Sequence, residues 1–441
     1  MLLGLKLLAS AFFVNPYLQL GNRPSSSQAG VDVVFQSLNV RPFRVEVNTG
    51  DGVWRSAGEL KREEVFVKGE NSHYVYTASL DGVRNGRTFS YRVWNGNELA
   101  FESSGKARPA AGSGYSLILW GDSGSGLPPQ VKVAKRVMAD QPDGVVITGD
   151  LVYDRGRVSE YQKKWFPVYN ALPGEATGSP LMASILFMPA PGNHDLLYND
   201  ADTDGDLFAY FRYWRVPLNG PVTDASDASA PKLKGSATNI SRALSGIPAD
   251  RYPRAANYSF DFGNSHWTIL DSNPYVDWKN PRLQAWVEAD LAKAKGMAWR
   301  FVAFHHPPFH SSPEHQGDQQ MRALHDIFRK HGVKIVFCGH VHNYQRSKPI
   351  VSAGTEVAVD NAYDGSKTTQ TDGVIYVVTG GGGARLYSPE LETQPEKWKP
   401  WTAMYSGKFS YTRLKVSADR ADVECVSAED GSVLDRWSVR K

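Results

Sequence analysis

The stretch KIVFCGHVHNYQR, residues 334–346, joins a short apolar strand to a pair of histidines. Lys334–Cys338 has the composition of a buried strand, and a glycine and His340 follow it directly. One residue separates His340 from His342, so their side chains share a face if the segment is extended. In open α/β sheets, sites collect beyond the carboxyl ends of the strands. The stretch therefore predicts a polar site at one edge of a sheet.

Four more apolar strands end in polar side chains. These are Asp122 after Tyr115–Trp120, Asp150 and Tyr153 after Gly144–Thr148, Asn193 and His194 after Ile185–Met188, and His305 after Trp299–Phe304. A glycine precedes most of these polar residues, and we expect it to permit a sharp turn of the backbone. Because strand ends that are distant in sequence meet at one sheet edge, the five segments predict a single cluster.

The side chains of this cluster suit two metal ions. Two carboxylates, a phenolate, an amide and three imidazoles are too many ligands for one ion with an open position. They suit two ions about 3.5–4 Å apart that share one carboxylate. Oxygen donors mixed with imidazoles favour iron, zinc or manganese, and the lack of thiolates argues against a structural zinc site. The expected ligands are Asp122, Asp150, Tyr153, Asn193, His305, His340 and His342. We expect His306 and His310 to have packing or supporting roles.

We predict two domains, of which the first precedes this cluster and the second contains it. Residues 15–106 are predicted to form short strands with glycine and asparagine turns between them, as in a β-sandwich. The predicted strands are Val31–Phe35, Phe43–Val47, Tyr74–Ala78 and Thr88–Trp94. Leu80–Val93 resembles the end of a fibronectin type III domain, with Tyr91 as its corner tyrosine.

After the linker Ala107–Gly114, strands alternate with helices, which indicates an α/β domain. The predicted helices are Val131–Ala139, Pro281–Ala294 and Asp318–Lys330. Val222–Ala256 is rich in Ala, Ser, Asp and Pro and lacks a period, so we expect a surface insertion there.

Composition narrows the function classes. The 441 residues are 41% hydrophobic and 22% charged, with a net charge of +3, which is typical of a globular protein that folds in water. Lysines and arginines are scattered without a polybasic run, which argues against a nucleic-acid-binding role. A charged substrate would therefore be held by local charge and not by a broad field. Cys338 and Cys425 lie in apolar stretches and are interpreted as buried thiols, with one long-range disulfide as the alternative.

The amino terminus has the pattern of an export signal. Leu2–Phe13 is almost entirely apolar and contains the small-x-small pattern Ala9-Ser10-Ala11. Signal peptides have apolar cores of about 7–15 residues, whereas a membrane helix needs about 20. We expect a signal peptide over residues 1–14 and a secreted, periplasmic or otherwise extracytoplasmic protein. A first strand of the folded domain is the alternative. No other segment is predicted to span a membrane.

In this order, the five motifs resemble the signature of the calcineurin-like metallophosphoesterase superfamily, and Tyr153 narrows the match to purple acid phosphatases. The resemblance covers nearly the whole chain, and Asn15–Gln19 is similar to the start of that family's leading domain. It implies a metallophosphoesterase domain of α/β class over residues 115–441, with two central β-sheets flanked by helices. It also implies a preceding all-β, fibronectin type III-like sandwich over residues 15–106.

The resemblance also divides the ligands between two ions. By analogy with the family, Asp122, Asp150, Tyr153 and His342 would bind a ferric ion, Fe(3+). Asp150 would also reach a second, divalent ion, Fe(2+), Zn(2+) or Mn(2+), which Asn193, His305 and His340 complete.

The implied partner is a small phosphorylated substrate, and the implied reaction is hydrolysis of a phosphate monoester by a metal-bound hydroxide. A bound ion lowers the pKa of water from about 15.7 to about 7, and a trivalent ion is expected to lower it further. The departing alcohol needs a proton, which the family obtains from two histidines beside the phosphate. His194 matches one of them, with Asp195 expected to orient its ring. His315 is the candidate for the second, and His310 is its competitor.

Other functions remain as alternatives. A phosphodiesterase or nucleotide-cleaving enzyme would use the same metal site with a different pocket, shaped by loops such as 199–256 and 380–383. A non-catalytic binding protein would be favoured by a missing ligand, and none is missing. A third hypothesis makes the sandwich a carbohydrate or surface anchor, whose removal would change location and not turnover.

Overall fold

The computed structural model describes residues 11–67, 71–221, 229–354 and 356–441. Its first region is a sandwich of two four-stranded antiparallel sheets, with strand orders β1-β2-β6-β5 and β4-β3-β7-β8. The strands are β1 (Val14–Gln19), β2 (Val31–Ser37), β3 (Phe43–Asn48), β4 (Arg55–Ser56), β5 (Lys61–Val65), β6 (His73–Leu80), β7 (Thr88–Asn95) and β8 (Glu98–Lys106). In β3 the apolar residues Phe43, Val45 and Val47 are buried and alternate with more exposed polar ones, as the period of two in a strand requires.

The second region holds two large sheets and a two-stranded one. Their strands are β9 (Tyr115–Trp120), β10 (Gly144–Thr148), β11 (Leu186–Ala190), β12 (Tyr258–Phe262), β13 (Ser265–Ile269), β14 (Trp299–Ala303), β15 (Ile335–Cys338), β16 (Tyr344–Ser347), β17 (Ile350–Ala353), β18 (Val357–Val359), β19 (Ile375–Thr379), β20 (Thr402–Ser406), β21 (Ser410–Val416), β22 (Arg420–Ser427) and β23 (Val433–Arg440). The sheet orders are β11-β10-β9-β21-β22-β23, β12-β13-β14-β15-β19-β16-β20 and β17-β18.

Eight α-helical segments lie in the described part of the second region. They are α1 (Pro128–Asp140), α2 (Val158–Glu160), α3 (Phe166–Tyr169), α4 (Asn193–Leu196), α5 (Ala209–Tyr213), α6 (Ala237–Leu244), α7 (Pro281–Lys293) and α8 (His325–Lys330). Local sequence sets the limits of α7: the Asn280 side chain accepts a hydrogen bond from the Arg282 N–H, and Pro281 occupies the first turn. Leu283, Val287 and Leu291 recur every four residues and are buried on one face.

Parallel pairing explains how distant ligands meet. Strands β9, β10 and β11 run parallel in one sheet, and β13, β14, β15 and β19 run parallel in the other. The carboxyl ends of the two sets lie together, since His305 after β14 is hydrogen-bonded to the carbonyl oxygen of Thr148 in β10. The predicted fold class, an α/β domain with two central sheets behind an all-β sandwich, is confirmed.

The sandwich packs directly on the second region. The buried apolar residues of the two regions form one continuous cluster. Tyr91 differs from the prediction: its hydroxyl donates to the carbonyl oxygen of Ala183, 2.8 Å away in the second region. A corner tyrosine would bond to backbone a few residues upstream in its own domain. Tyr91 therefore fastens the two regions together, and its prediction as a corner tyrosine is wrong.

Two segments depart from the predicted secondary structure. Asp318–Lys330 was expected to be one helix, but α8 begins only at His325, after a short 3-10 turn. Asp318 lies in a loop because its carboxylate turns toward His340, 3.0 Å away. Within Val222–Ala256, residues 222–228 lie outside the described residues, and the remainder contains α6. Ser236 caps this helix by accepting a hydrogen bond from the Asn239 N–H.

The predictions for the cysteines and the amino terminus have different outcomes. Cys338 and Cys425 are buried and free, which confirms their interpretation as thiols. Residues 1–10 of the expected signal peptide lie outside the described residues. Phe12 and Val14, which the same expectation includes, are buried in the sandwich, and β1 begins at Val14. No helix in the described ranges is both long and apolar enough to cross a membrane.

Candidate metal centre

The first group of predicted ligands surrounds the Tyr153 hydroxyl. Its oxygen lies 3.2 Å from Asp122 Oδ1 and 3.0 Å from His342 Nε2. Asp122 follows β9, Tyr153 follows β10 and His342 follows β15, so three strand ends deliver these atoms. All three side chains are buried.

The second group surrounds His305 Nε2. This nitrogen lies 3.0 Å from Asn193 Oδ1, 3.3 Å from Asp150 Oδ1 and 3.2 Å from His340 Nδ1. Asp150 also interacts with Tyr153 of the first group. The seven side chains predicted from the sequence therefore converge, and Asp150 lies where the two groups meet.

The spacing of these atoms fits ligands of metal ions. Neighbouring atoms within each group are 3.0–3.3 Å apart. Ligand bonds of about 2.1 Å at roughly right angles give ligand-to-ligand distances of about 3 Å. The residues present thus fit two ions, one in each group.

The three histidines are also held in the way metal-ligating histidines are. In each ring one nitrogen faces the other ligands and the second nitrogen bonds to an oxygen acceptor outside the group. The pairs are His305 Nδ1 with the Thr148 carbonyl at 2.8 Å, His342 Nδ1 with the Arg385 carbonyl at 2.7 Å and His340 Nε2 with Asp318 Oδ2 at 3.0 Å. Such outer bonds fix the tautomer and leave a lone pair for the metal.

The backbone carries strain at the ligands themselves. Asp122, Asp150 and His340 have φ values of 59°, 49° and 68°, a region that side chains rarely adopt. Each such residue costs about 1–3 kcal/mol and persists where function requires it. The glycines that precede ligands serve mainly to provide space: a Cβ on Gly192 would lie 2.1 Å from Asp150 Oδ1, and one on Gly339 would lie 2.7 Å from Asp122 Oδ2. The sharp backbone turns that we expected glycines to permit are therefore made mostly by the predicted ligand residues themselves.

The electrostatics are those of a cluster that needs a cation. Burial, and then the negative charges of Asp150 and Asp122, raise the pKa of Tyr153 well above its ordinary value. Burial lowers the pKa of His305, but the charges of Asp150 and Asp122 outweigh it and raise that pKa to about 9. A phenolate at Tyr153 therefore requires an added positive charge within the centre.

A cavity of about 210 Å³ opens onto the ligands, and His194 lines it. The His194 ring is held by a hydrogen bond from Nδ1 to the Asp154 carbonyl oxygen at 2.7 Å. Asp195 does not orient this ring, contrary to expectation: its carboxylate accepts hydrogen bonds from the Gly192 N–H at 2.8 Å and the Leu151 N–H at 3.2 Å. The reason is geometric, because consecutive helical residues point about 100° apart.

His315 lines the same cavity at its mouth, with about a third of its side chain exposed, 34%. Its ring centroid lies 3.9 Å from that of His340, and its Nδ1 lies 3.4 Å from Asp318 Oδ2. His310, its competitor, is buried and contributes nothing to the cavity lining; its Nε2 contacts the His315 carbonyl oxygen at 3.3 Å. Position therefore favours His315.

Three residues of the centre were missed by sequence reasoning. Asp318 joins His315 to His340, and the Tyr387 ring stacks on that of His342 at 4.0 Å and 9°. Ser272 accepts hydrogen bonds from two backbone N–H groups beyond β14. Ser272 follows the end of β13, so the strand-end signal that identified the ligands was present there too. Asp318 and Tyr387 lie in loops without such a signal.

Comparisons with known proteins agree on a family. The model described as calcineurin-like phosphoesterase matches residues 116–344. The model described as iron/zinc purple acid phosphatase-like protein C matches residues 373–436. The two matches cover the strands that carry every predicted ligand and the carboxyl-terminal strands beyond them.

Individual relatives are distant. "Probable inactive purple acid phosphatase 24" of Arabidopsis thaliana is 25% identical over 89% of this chain and 60% of its own length. "Acid phosphatase type 7" of Homo sapiens is 24% identical over 74% of this chain and 67% of its own. The purple acid phosphatase PPD1 from yellow lupin seeds has a TM-score of 0.71 at 20% identity, covering 96% of this chain and 74% of its own. The matched part of this chain thus spans only 60% of the length of the Arabidopsis relative.

Proposed function

Because this chain belongs to the calcineurin-like phosphoesterase family, we propose that it is a dinuclear-metal hydrolase of the purple acid phosphatase type that cleaves phosphate monoesters. The observation that carries the proposal is the convergence of seven ligand side chains at ligand-to-ligand spacing. The outer hydrogen bonds of the three histidines support it, since they leave each inner nitrogen free to bind an ion.

The proposed ligand sets follow the two groups. Asp122, Asp150, Tyr153 and His342 would hold a ferric ion, and Asp150, Asn193, His305 and His340 would hold a divalent iron, zinc or manganese ion. Support for a trivalent first ion comes from Tyr153, because a buried phenol with a raised pKa needs a strong positive charge to bind as phenolate. Bound ions supply an activated water and neutralise phosphoryl charge.

His194 and His315 are proposed to serve the departing alcohol. The Asp154 carbonyl can only accept a hydrogen bond, so His194 carries a proton on Nδ1 and presents Nε2 to the cavity. His315 stands at the mouth, where a leaving group would depart, and Asp318 holds its Nδ1 side. We assign to His315 the donation of a proton to the alkoxide oxygen and to His194 the contact with the phosphoryl group. Asp195 joins Leu151, in the loop after β10, to Gly192, in the loop before α4.

Two alternatives have specific tests. A diesterase would share the ligands and differ in the lining of the cavity, which has a volume of about 210 Å³. A non-catalytic role is suggested by the word "inactive" in the name of the Arabidopsis relative. Against it stands the complete ligand set of this chain, in which Asp122, Asn193 and His342 are all present.

One preparation can separate these possibilities. We would assay phenyl phosphate and bis(4-nitrophenyl) phosphate with the protein as purified, after chelation, and after resupply of iron, zinc or manganese. The proposal predicts that chelation abolishes turnover, that metal restores it and that the monoester is the better substrate. A preference for the diester would favour the diesterase. Tyr153→Phe should remove a visible absorption band while lowering turnover by about tenfold, or about 1.4 kcal/mol of barrier.

The proposal includes export. The apolar run Leu2–Phe13 supports it, and cleavage after Ala11 in the small-x-small pattern would keep Phe12. The Phe12 ring stacks on that of Phe43, with centroids 5.5 Å apart, so a chain that began at Asn15 would lose a core side chain. Amino-terminal sequencing of protein secreted by its host should begin at Phe12, and a start at Met1 would contradict export.

A further inference from the structure

His306 follows the expected ligand His305 and has no assigned part in the centre. It is buried, with 3% exposure, and it lines the cavity that opens onto the ligands. Its ring centroid lies 4.3 Å from that of His340 and 5.0 Å from that of His305. A side chain in this position either binds an ion or faces whatever occupies the cavity.

The hydrogen bonds of the Ser272 hydroxyl distinguish between these two roles of His306, binding an ion and facing a ligand in the cavity. Ser272 Oγ accepts hydrogen bonds from the backbone N–H groups of His305 at 3.1 Å and His306 at 2.9 Å. A hydroxyl offers two lone pairs and one hydrogen, so these two bonds use its lone pairs. The hydrogen is left for His306 Nδ1, which lies 2.8 Å from the oxygen. His306 Nδ1 is therefore an acceptor.

The tautomer of His306 follows from this bond. A neutral imidazole with an accepting Nδ1 carries its hydrogen on Nε2. Within the described parts of the chain, no side chain or carbonyl accepts a hydrogen bond from this Nε2. The adjacent His305 has the opposite tautomer, because its Nδ1 faces the Thr148 carbonyl, which can only accept. The Nδ1 of His306 is thus an acceptor because of the Ser272 hydroxyl, whereas the Nδ1 of His305 is a donor because of the Thr148 carbonyl.

We propose that His306 is a substrate-binding residue whose Nε2–H donates a hydrogen bond to a phosphoryl oxygen in the cavity. This role rests on the proposed function, since it requires a phosphate ester as the ligand. A nitrogen that carries a hydrogen has no lone pair for a metal, so His306 is not an eighth ligand. The donor is fixed in advance by Ser272, and a fixed donor binds an oxyanion without the cost of ordering it.

A pair of amide substitutions tests the donor. In His306→Gln the side-chain amide reaches about as far as Nε2, whereas in His306→Asn it reaches only about as far as Nδ1. We would measure inorganic phosphate binding to the metal-loaded holoenzyme by calorimetry and the metal content by elemental analysis. His306→Asn should bind phosphate about 10- to 100-fold more weakly than wild type, the usual effect of losing a hydrogen bond to a charged group. His306→Gln should stay close to wild type, and both variants should keep two metal ions.

Each result is decisive. Equal phosphate affinity in wild type and His306→Asn, with both proteins folded by thermal melting, would overturn the donor role and leave the proposed function standing. Loss of a metal ion in either variant would show that His306 is a ligand and would overturn the tautomer. Wild-type protein that holds two ions but neither binds phosphate nor hydrolyses phosphate esters would contradict the proposed function, and the role of His306 with it.

Discussion

Buried charge is treated differently at the interface with the sandwich and at the metal centre. At the interface, the Glu63 carboxylate accepts hydrogen bonds from Arg215 at 2.9 Å and from Arg251 at 2.9 Å and 3.1 Å. At the centre, Asp122 and Asp150 face imidazoles and a phenol, none of which carries a permanent positive charge. We call the Glu63 cluster closed, because arginines of the chain compensate its charge. We call the cluster of Asp122 and Asp150 open, because its charges are left for metal ions from solution. The difference shows which buried charges stabilise the fold and which are kept for function.

Asp150→Asn tests the open cluster most strongly, because Asp150 belongs to both proposed ligand sets. The amide keeps the shape of the side chain and removes the shared charge, so both ions should bind weakly. Turnover should fall at least about 1000-fold, equivalent to about 4 kcal/mol of barrier. Asp435→Asn is the matched control, since Asp435 is a buried carboxylate closed by Arg346 at 2.7 Å. It should lower the melting temperature and leave both ions bound. Full metal content in Asp150→Asn would contradict the ligand assignment.

His315→Ala sharpens the account of the open cluster by removing an outer residue while every proposed ligand stays in the chain. Hydrolysis of alkyl phosphates should slow about 100-fold, as expected for loss of a general acid, while 4-nitrophenyl phosphate should be affected much less. Metal content should not change. His310→Ala provides the comparison, because His310 lies outside the cavity. An equal loss on both substrates would remove His315 from proton transfer.

Glu63→Gln removes the carboxylate charge of the closed cluster. Arg215 and Arg251 are 7% and 10% exposed, so they would be left as buried, poorly compensated cations. The free energy of unfolding should fall by about 2–3 kcal/mol, somewhat less than for a fully buried pair because Glu63 is itself 24% exposed. Chemical denaturation measures this loss, with exposed Glu64→Gln as the control. Metal content that fell together with stability would mean that the two clusters are not independent.

His266 provides a test of similar size, as a buried histidine whose two ring nitrogens both face carboxylates. Its Nδ1 lies 2.8 Å from Asp261 Oδ1 and its Nε2 lies 3.1 Å from Asp290 Oδ2. Burial lowers its pKa, but the bonds and charges of Asp261 and Asp290 outweigh burial and raise that pKa to about 9. The stabilisation is therefore complete below the unfolded pKa of about 6.5 and is lost as pH rises toward about 9, at a cost of about 2–3 kcal/mol. Denaturation at several pH values should show this decline in wild type and not in His266→Gln; parallel curves would contradict it.

Local sequence was sufficient to predict that the proposed ligands converge, because each of them follows a strand of plainly apolar composition. Gly144–Thr148 and the run before His340 are buried strands of two different sheets. The carboxyl ends of these sheets lie together, as the bond of His305 Nδ1 to the Thr148 carbonyl oxygen shows. The same reasoning predicted both regions and the strands β2, β3, β6 and β7.

Features that depend on tertiary contacts could not be predicted in this way. The bond from Tyr91 to Ala183 joins residues 92 positions apart, and Asp318 leaves its expected helix to reach His340. The Asp195 carboxylate accepts a hydrogen bond from the Leu151 N–H, 44 positions away, because its place in α4 directs it away from His194. In each case the position of the partner depends on the tertiary fold, which the local sequence pattern does not specify.

The central claim is that distant strand ends enclose two cations, and the metal content of the purified protein tests it most directly. Elemental analysis after expression with iron, zinc and manganese in the medium should give two ions per chain, one of them iron. An absorption spectrum of the same sample should show a visible band from the tyrosinate. Folded protein that contains no metal, and gains no phosphatase activity when these ions are supplied, would contradict the account.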